Sequence, residues 1–141
     1  MPVAEMVRSY PADLGGVDRD ALVRCIEECV ACAQACTSCA DACLSEPDDA
    51  LVTLRKCVRT NLDCADVCDT TARVLSRHTE YDANVTKAML EACATVCSSC
   101  ADECGRHADH HEHCRVCEQA CRRCERACQE LIGGLGRGAG G

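Results

Sequence analysis

The sequence contains no phenylalanine and no tryptophan, and only two tyrosines, Tyr10 and Tyr81. Aromatic rings supply the largest single burials in ordinary cores, so this core must be built from Leu, Val, Ile, Ala and whatever else faces inward. Only three prolines occur in 141 residues, which leaves room for long helices. No apolar run approaches the roughly 20 residues of a membrane span, so no transmembrane helix and no membrane partner are expected. Residues 1–8 lack the apolar stretch and cleavage site of a secretory signal, so a cytoplasmic location is expected. Positive charge is also short. Lys and Arg number 15 against 23 Asp and Glu, a net charge of −8, which argues against a nucleic-acid partner. No Ser/His/Asp set, phosphate loop or paired carboxylates stands in a context that suggests catalysis, so the expectation is that the protein is no enzyme.

What the chain has instead is cysteine, 18 of 141 residues, above the roughly one in ten that marks a disulfide scaffold in a short secreted chain. In a reducing compartment such abundance points to metal or catalysis. Cys25, Cys29, Cys32, Cys36, Cys39 and Cys43 alternate steps of four and three. Cys93, Cys97, Cys100 and Cys104 repeat the pattern, as do Cys114, Cys117, Cys121, Cys124 and Cys128. Cys57, Cys64 and Cys68 form a sparser line with Asn61 in the skipped position. The mean step is close to the helical period of about 3.6. Each run is therefore a line of thiols down one helix face, where a bundle helix normally carries Leu or Ile.

Four long helices are predicted. Residues 1–16 form an N-terminal arm ending at Gly15-Gly16, with room for a short helical turn. The first long helix opens at Asp18, a good N-cap, and runs to about Leu44. Ser45-Glu46-Pro47-Asp48 breaks the chain, with Ser45 able to cap and Pro47 tolerated in a first turn. The second helix continues to about Arg77. The stretch from Thr79 to Asp82 caps a third, which reaches about His107, and a His-rich turn leads to a fourth from about His111 to Ile132. The tail 133–141 holds six glycines in nine residues and is expected to be disordered. With no strand signal, the expected fold is all-α: an antiparallel up-down-up-down four-helix bundle over residues 17–132 with a Cys-lined core.

Thiols at i and i+4 of one helix have Cβ atoms roughly 5–6 Å apart. A linear sulfur–metal–sulfur unit with bonds of the zinc–thiolate length spans roughly 4.6 Å, so one helix can clasp a two-coordinate ion. Soft thiolates at low coordination number select Cu(I), whereas Mg²⁺ and Ca²⁺ want oxygen. A buried thiolate must be paired. Charge cancels when every sulfur bridges two Cu(I) and every Cu(I) touches two sulfurs, which implies on the order of 18–20 Cu(I) per chain. All eighteen cysteines are then candidate ligands. The alternative is zinc, stored or structural, in Cys₄ sites, of which eighteen cysteines could make at most four. A disulfide-stapled bundle conflicts with a reducing compartment, and the ferredoxin cysteine spacing is absent. The C-x₂-C pairs, such as Cys36 to Cys39, belong to a longer period and not to a redox motif.

These repeated C-x₃-C-x₂-C runs, spread from Arg24 to Cys128, make the chain resemble the bacterial copper storage proteins, specifically the cytosolic branch without an export signal. The resemblance implies a four-helix bundle whose inward cysteines hold many Cu(I) ions, commonly as a homotetramer, with histidines at one open end. The matching segment here is Gly105-Arg106-His107-Ala108-Asp109-His110-His111-Glu112-His113-Cys114. The expected partners are copper ions, handed over by a copper chaperone. Asn61 departs from the all-thiol pattern.

The two ends of such a bundle differ. Antiparallel order places the last turn beside the first, gathering Cys43, Cys104, Cys114 and the histidines. His111 and His107 lie three and seven residues before Cys114, and His113 lies four before Cys117. Neutral imidazole binds Cu(I) and exchanges it faster than a buried thiolate lattice, so His107, His111 and His113 are the expected mouth. The opposite end collects Leu22, Leu75, Met89, Leu90, Leu131 and Ile132 as an apolar plug, with Met89 read as packing. His78 is read as structural, at a helix end that favours a cation. Asn61 is expected to fix register and hydrogen-bond thiols. Ile26, Val30, Val58, Leu62, Val67 and Val74 are expected to add aliphatic packing.

Overall fold

The first long helix begins where an aspartate can satisfy amide groups that no helical turn has yet claimed. In the computed structural model, which describes residues 1–135, the Asp18 carboxylate accepts from the Ala21 N–H at 3.1 Å. A short α1, Val3–Arg8, precedes it, and α2, Arg19–Leu44, follows. Gly15 and Gly16 make the turn between them at φ 78° and 80°, a region where only glycine is unstrained. Ser45 closes α2, its N–H bonding back to Ala42 O at 3.1 Å, and so is not the cap of the next helix. That cap is Pro47, one residue outside the helical turn, where a missing N–H costs nothing. The helix α3, Asp48–Leu75, starts with two acids at its positive end. Asp82 accepts from the Asn84 N–H at 2.8 Å and opens α4, Ala83–Gly105. His111 holds the N-cap position of α5, Glu112–Gly133.

Gly133 and Gly134, assigned to the expected tail, have defined places. Gly133 is the last residue of α5, and the Gly134 carbonyl accepts from the Asp18 N–H at 2.9 Å, joining the end of α5 to the start of α2. Residues 136–141 of that expectation lie outside the described residues. No strand occurs among the described residues, and no helix there is long and apolar enough to cross a membrane.

The long helices form a square: α2 packs on α3 and α5, and α4 packs on the same two. Successive helices run antiparallel. Along α3 and α4, Cys57 meets Cys104 at one end and Cys68 meets Cys93 at the other. Along α2 and α5 the pairs are Cys39 with Cys114 and Cys25 with Cys128. Every cysteine is at most 1 % exposed, and Leu54, Leu90 and Leu131 are fully excluded from solvent. Ile26 is buried, and Val58 and Val67 pack against the core from its edge. Two packing expectations fail. Val30 and Leu62 are 38 % and 47 % exposed, because the thiol lines occupy the inward face of their helices and leave them on the outer one.

At the end away from the histidines, Leu22, Leu75, Leu90 and Leu131 are buried as expected, while Ile132 and Met89 are half-buried. The arm completes this closure. Val7 and Leu14 are buried, the Tyr81 hydroxyl donates to Leu14 O at 3.1 Å, and Tyr10 meets Thr79 Oγ1 at 3.0 Å. His78 stands edge-on to Tyr10, with ring centroids 5.0 Å apart. Its burial lowers its pKa, so it serves as a neutral packing ring and not as a cation for the helix dipole.

Candidate metal centre

The thiol lines meet as a three-dimensional lattice. Within single helices, sulfurs approach at 3.8 Å (Cys32 and Cys36; Cys64 and Cys68) and 4.0 Å (Cys117 and Cys121). Between neighbouring helices, Cys68 and Cys97 stand 3.5 Å apart and Cys57 and Cys104 3.7 Å. Thiols also meet across the diagonals of the square. Cys36 lies 3.9 Å from Cys100, and Cys68 lies 4.0 Å from Cys124. The clasp within one helix is thus only one of three bridging modes open to a two-coordinate ion.

Groups of four thiols with all sulfurs within 4.8 Å occur repeatedly, and they overlap. Cys32 and Cys64 belong both to a set with Cys68 and Cys97 and to a set with Cys36 and Cys121. Cys36 and Cys121 recur in a third, with Cys100 and Cys117. A structural zinc site takes four ligands in a tetrahedron. Sulfurs shared between sites suit ions that accept bridging thiolates at low coordination number, as Cu(I) does.

Electrostatics favour exchange of protons for metal. Cys43, at the edge of the lattice, is pushed up to about 11, first by burial and then by the charge of Cys57. Deeper in, hydrogen bonding among the thiols opposes burial. Hydrogen bonding with Cys128 and Cys29 holds Cys25 down at about 5. Cys93 is held below the usual thiol range by Cys124, Cys128 and Cys29, and Cys117 by Cys100 and Cys104. Other thiols titrate above that range, as Cys29 does beside Cys124 and Cys128. The network can support some thiolates with their neighbours' protons, but it cannot ionise throughout until cations replace those protons.

Asn61 interrupts the lattice without leaving a polar group unpaired. It is fully buried, and its Nδ2 donates to Cys57 O at 2.9 Å and to Cys57 Sγ at 3.3 Å. Its Oδ1 accepts from Cys117 at 3.0 Å, Cys100 at 3.2 Å and Cys104 at 3.7 Å. One amide thereby organises four thiols from three helices, the hydrogen-bonding role expected of it. Asn61→Ala should destabilise the metal-free protein by about 1–3 kcal/mol, since three S–H groups lose their acceptor and a cavity opens. Urea unfolding of the reduced protein measures this, and a variant as stable as the parent would show that the amide holds nothing in place.

At the histidine end the structure separates the three predicted residues. His113 joins the sulfurs: its Nδ1 lies 3.4 Å from Cys39 Sγ and 3.6 Å from Cys114 Sγ, and Cys43 completes the group. His111 and His107 are held by carboxylates instead. His111 Nδ1 lies 2.6 Å from Glu46 Oε2, and His107 Nε2 lies 3.0 Å from Glu103 Oε2. Stepping back from Cys114 along a helical period fails for these two because α5 starts only at Glu112. His110 is exposed. Glu46 and Glu103 escape sequence reasoning: Glu46 stands there only as part of a chain break, and no periodicity marks Glu103. Yet Glu103 is 5 % exposed and also accepts from Arg106 at 2.5 Å. The Glu46 carboxyl is held below its ordinary range by the hydrogen bonds from His113 and His111.

The family model for copper storage proteins matches residues 18–133, the whole of the four-helix square. No curated protein sequence matches the chain significantly. Among solved structures, the copper storage protein Ccsp of Streptomyces lividans loaded with 10 copper equivalents is 70 % identical, with a TM-score of 0.92, over 94 % of this chain and 99 % of its own. The cytosolic copper storage protein of the same organism with five coppers is 71 % identical, with a TM-score of 0.82, over 86 % of this chain and 100 % of its own. A variant of the Streptomyces lividans protein with two histidines changed to alanine is 69 % identical, with a TM-score of 0.83, over the same shares. The zinc alternative gains no support from these relatives. The sulfur lattice, the four-helix frame that holds it and the match across both place this chain in the copper storage protein family.

Proposed function

We propose that this protein stores copper in the cytosol as Cu(I), on the order of 18–20 ions per chain, and carries out no catalysis. The observation that carries this reading is the sharing of sulfurs: eighteen buried thiols whose neighbours overlap in all directions. Bridged one to one, Cu(I) and thiolate cancel in charge, which a buried core requires. The cytosolic location is supported by the cytosolic relative in Streptomyces lividans and by the redox state that eighteen free thiols need. Copper enters at the histidine end, where His113 faces Cys39 and Cys114, while His107 and His111 flank it. A copper chaperone is the natural donor, since a strongly thiolate-bound ion moves by ligand exchange. Assembly as a homotetramer is supported by the apolar side chains left on the outer surface, among them Leu62 and Val116, 47 % and 48 % exposed.

Anaerobic titration of the reduced protein with Cu(I) tests the reading. Thiolate-to-copper absorption in the near ultraviolet should rise to saturation near one copper per thiol, and about one proton should be released per ion. Acid should therefore weaken binding, since protons compete for the same sulfurs. Saturation at four ions or fewer, with zinc displacing copper, would return the protein to the zinc reading.

A further inference from the structure

The carboxylate of Glu46 is shared. Glu46 lies in the turn between α2 and α3, far in sequence from the histidines it touches, and a single oxygen, Oε2, receives both of them. His113 presents Nε2 at 2.9 Å and His111 presents Nδ1 at 2.6 Å. A carboxylate oxygen accepts and does not donate, so each of these ring nitrogens carries its proton. The other nitrogen of each neutral ring is then left with a free lone pair. In His113 that nitrogen is Nδ1, the atom facing Cys39 and Cys114. In His111 it is Nε2, the reverse assignment. The three side chains are 15–25 % exposed, so water competes only partly for these bonds.

We propose that Glu46 is a positioning residue that selects opposite tautomers in His111 and His113, and so determines which nitrogen of each ring takes copper at the mouth. This rests on the reading of the histidine end as the place where copper passes to the thiols. The carboxylate does three things at once. It fixes the donor atom of His113 toward the first sulfurs, and it holds the two rings side by side, with centroids 5.6 Å apart. It also anchors both imidazoles from behind, as a carboxylate does for a metal-binding histidine. Without Glu46, both rings would return to the tautomer mixture of free imidazole, and His113 would present a protonated Nδ1 to copper part of the time.

The test has one arm that needs no metal and no variant. Long-range proton–nitrogen NMR of the reduced, metal-free protein with ¹⁵N-labelled histidine reads the tautomer of each ring. His113 should be protonated at Nε2 and His111 at Nδ1, the latter being the minority form of free histidine. In Glu46→Ala, His111 should revert to the Nε2-protonated form. The first copper equivalents should bind about tenfold more weakly, the usual effect of losing an outer partner, with helix content and total capacity unchanged. Glu46→Gln still offers one oxygen to both rings and should keep most of the parent behaviour. An Nε2-protonated His111 in the parent protein, or unchanged tautomers and affinity in Glu46→Ala, would overturn the proposal. A parallel His113→Ala variant separates the two readings. If it takes up copper as fast as the parent, the mouth lies elsewhere. If it is slowed while Glu46→Ala keeps the parent's tautomers and affinity, the mouth stands and the role of Glu46 falls.

Discussion

Saturation with Cu(I) is expected to raise the melting temperature of this protein by tens of degrees while leaving its far-ultraviolet dichroism almost unchanged. The dichroism should hold because the thiols converge without metal, with sulfurs from all four helices already 3.5–4.0 Å apart. Protonated cysteine is an adequate small core residue, so copper meets a bundle that is already folded. The rise in stability follows from mass action. An ion that binds only the native state, at a free concentration 1,000 times its dissociation constant, adds about 4.1 kcal/mol. For a domain of this size each kcal/mol moves the midpoint by roughly 3–5 °C. One such ion accounts for more than ten degrees, and the lattice offers many positions. Thermal scans of reduced apo and loaded protein, followed by dichroism at 222 nm, provide the comparison. A coil that becomes helical only when copper is added would mean that metal builds the fold, as in a metallothionein, and the picture of a preformed lattice would be lost.

Truncation at the closed end should have the second largest effect. Leu131→Ala and Leu90→Ala should each destabilise the apo-protein by about 2–5 kcal/mol, a large share of the 5–15 kcal/mol typical of a domain. Both leucines are fully buried. Cysteine buries little area per residue, so this layer of leucines under the arm carries an unusual part of the hydrophobic stabilisation. Leu62→Ala is the control. At 47 % exposure it should change stability by no more than about 0.5 kcal/mol in the monomer. Urea unfolding under reducing conditions compares the three. Equal values for Leu62, Leu90 and Leu131 would mean that the closed end is not where the apolar stability lies.

Much of this architecture is legible in the amino-acid order, and the exceptions have physical causes. The start of α2 at Asp18 follows from a side chain that can reach an N–H three residues on. The buried thiol faces follow from a period of alternating threes and fours. Val30 and Leu62 mislead because hydrophobicity normally marks the inward face, and here cysteine has taken that face. The arm is unreadable as a closure because its contacts, Tyr10 with Thr79 and Tyr81 with Leu14, join segments nearly 70 residues apart. His107 and His111 meet carboxylates and not sulfurs, because a helical period counted back from Cys114 runs through a turn that breaks it.

The sequence by itself determined that there are four amphipathic helices, that their inward faces are sulfur, and that sulfur in such numbers calls for a soft metal. These are local properties, carried by spacing within each helix and by the chemistry of one side chain. Only the tertiary structure decided which thiols share neighbours, that the diagonals of the square are bridged, and that His113 and not His107 stands against the sulfurs. It alone brought Glu46 to two histidines 65 and 67 residues further along the chain. Such contacts depend on how the helices are set against one another, and no spacing within a single helix records that.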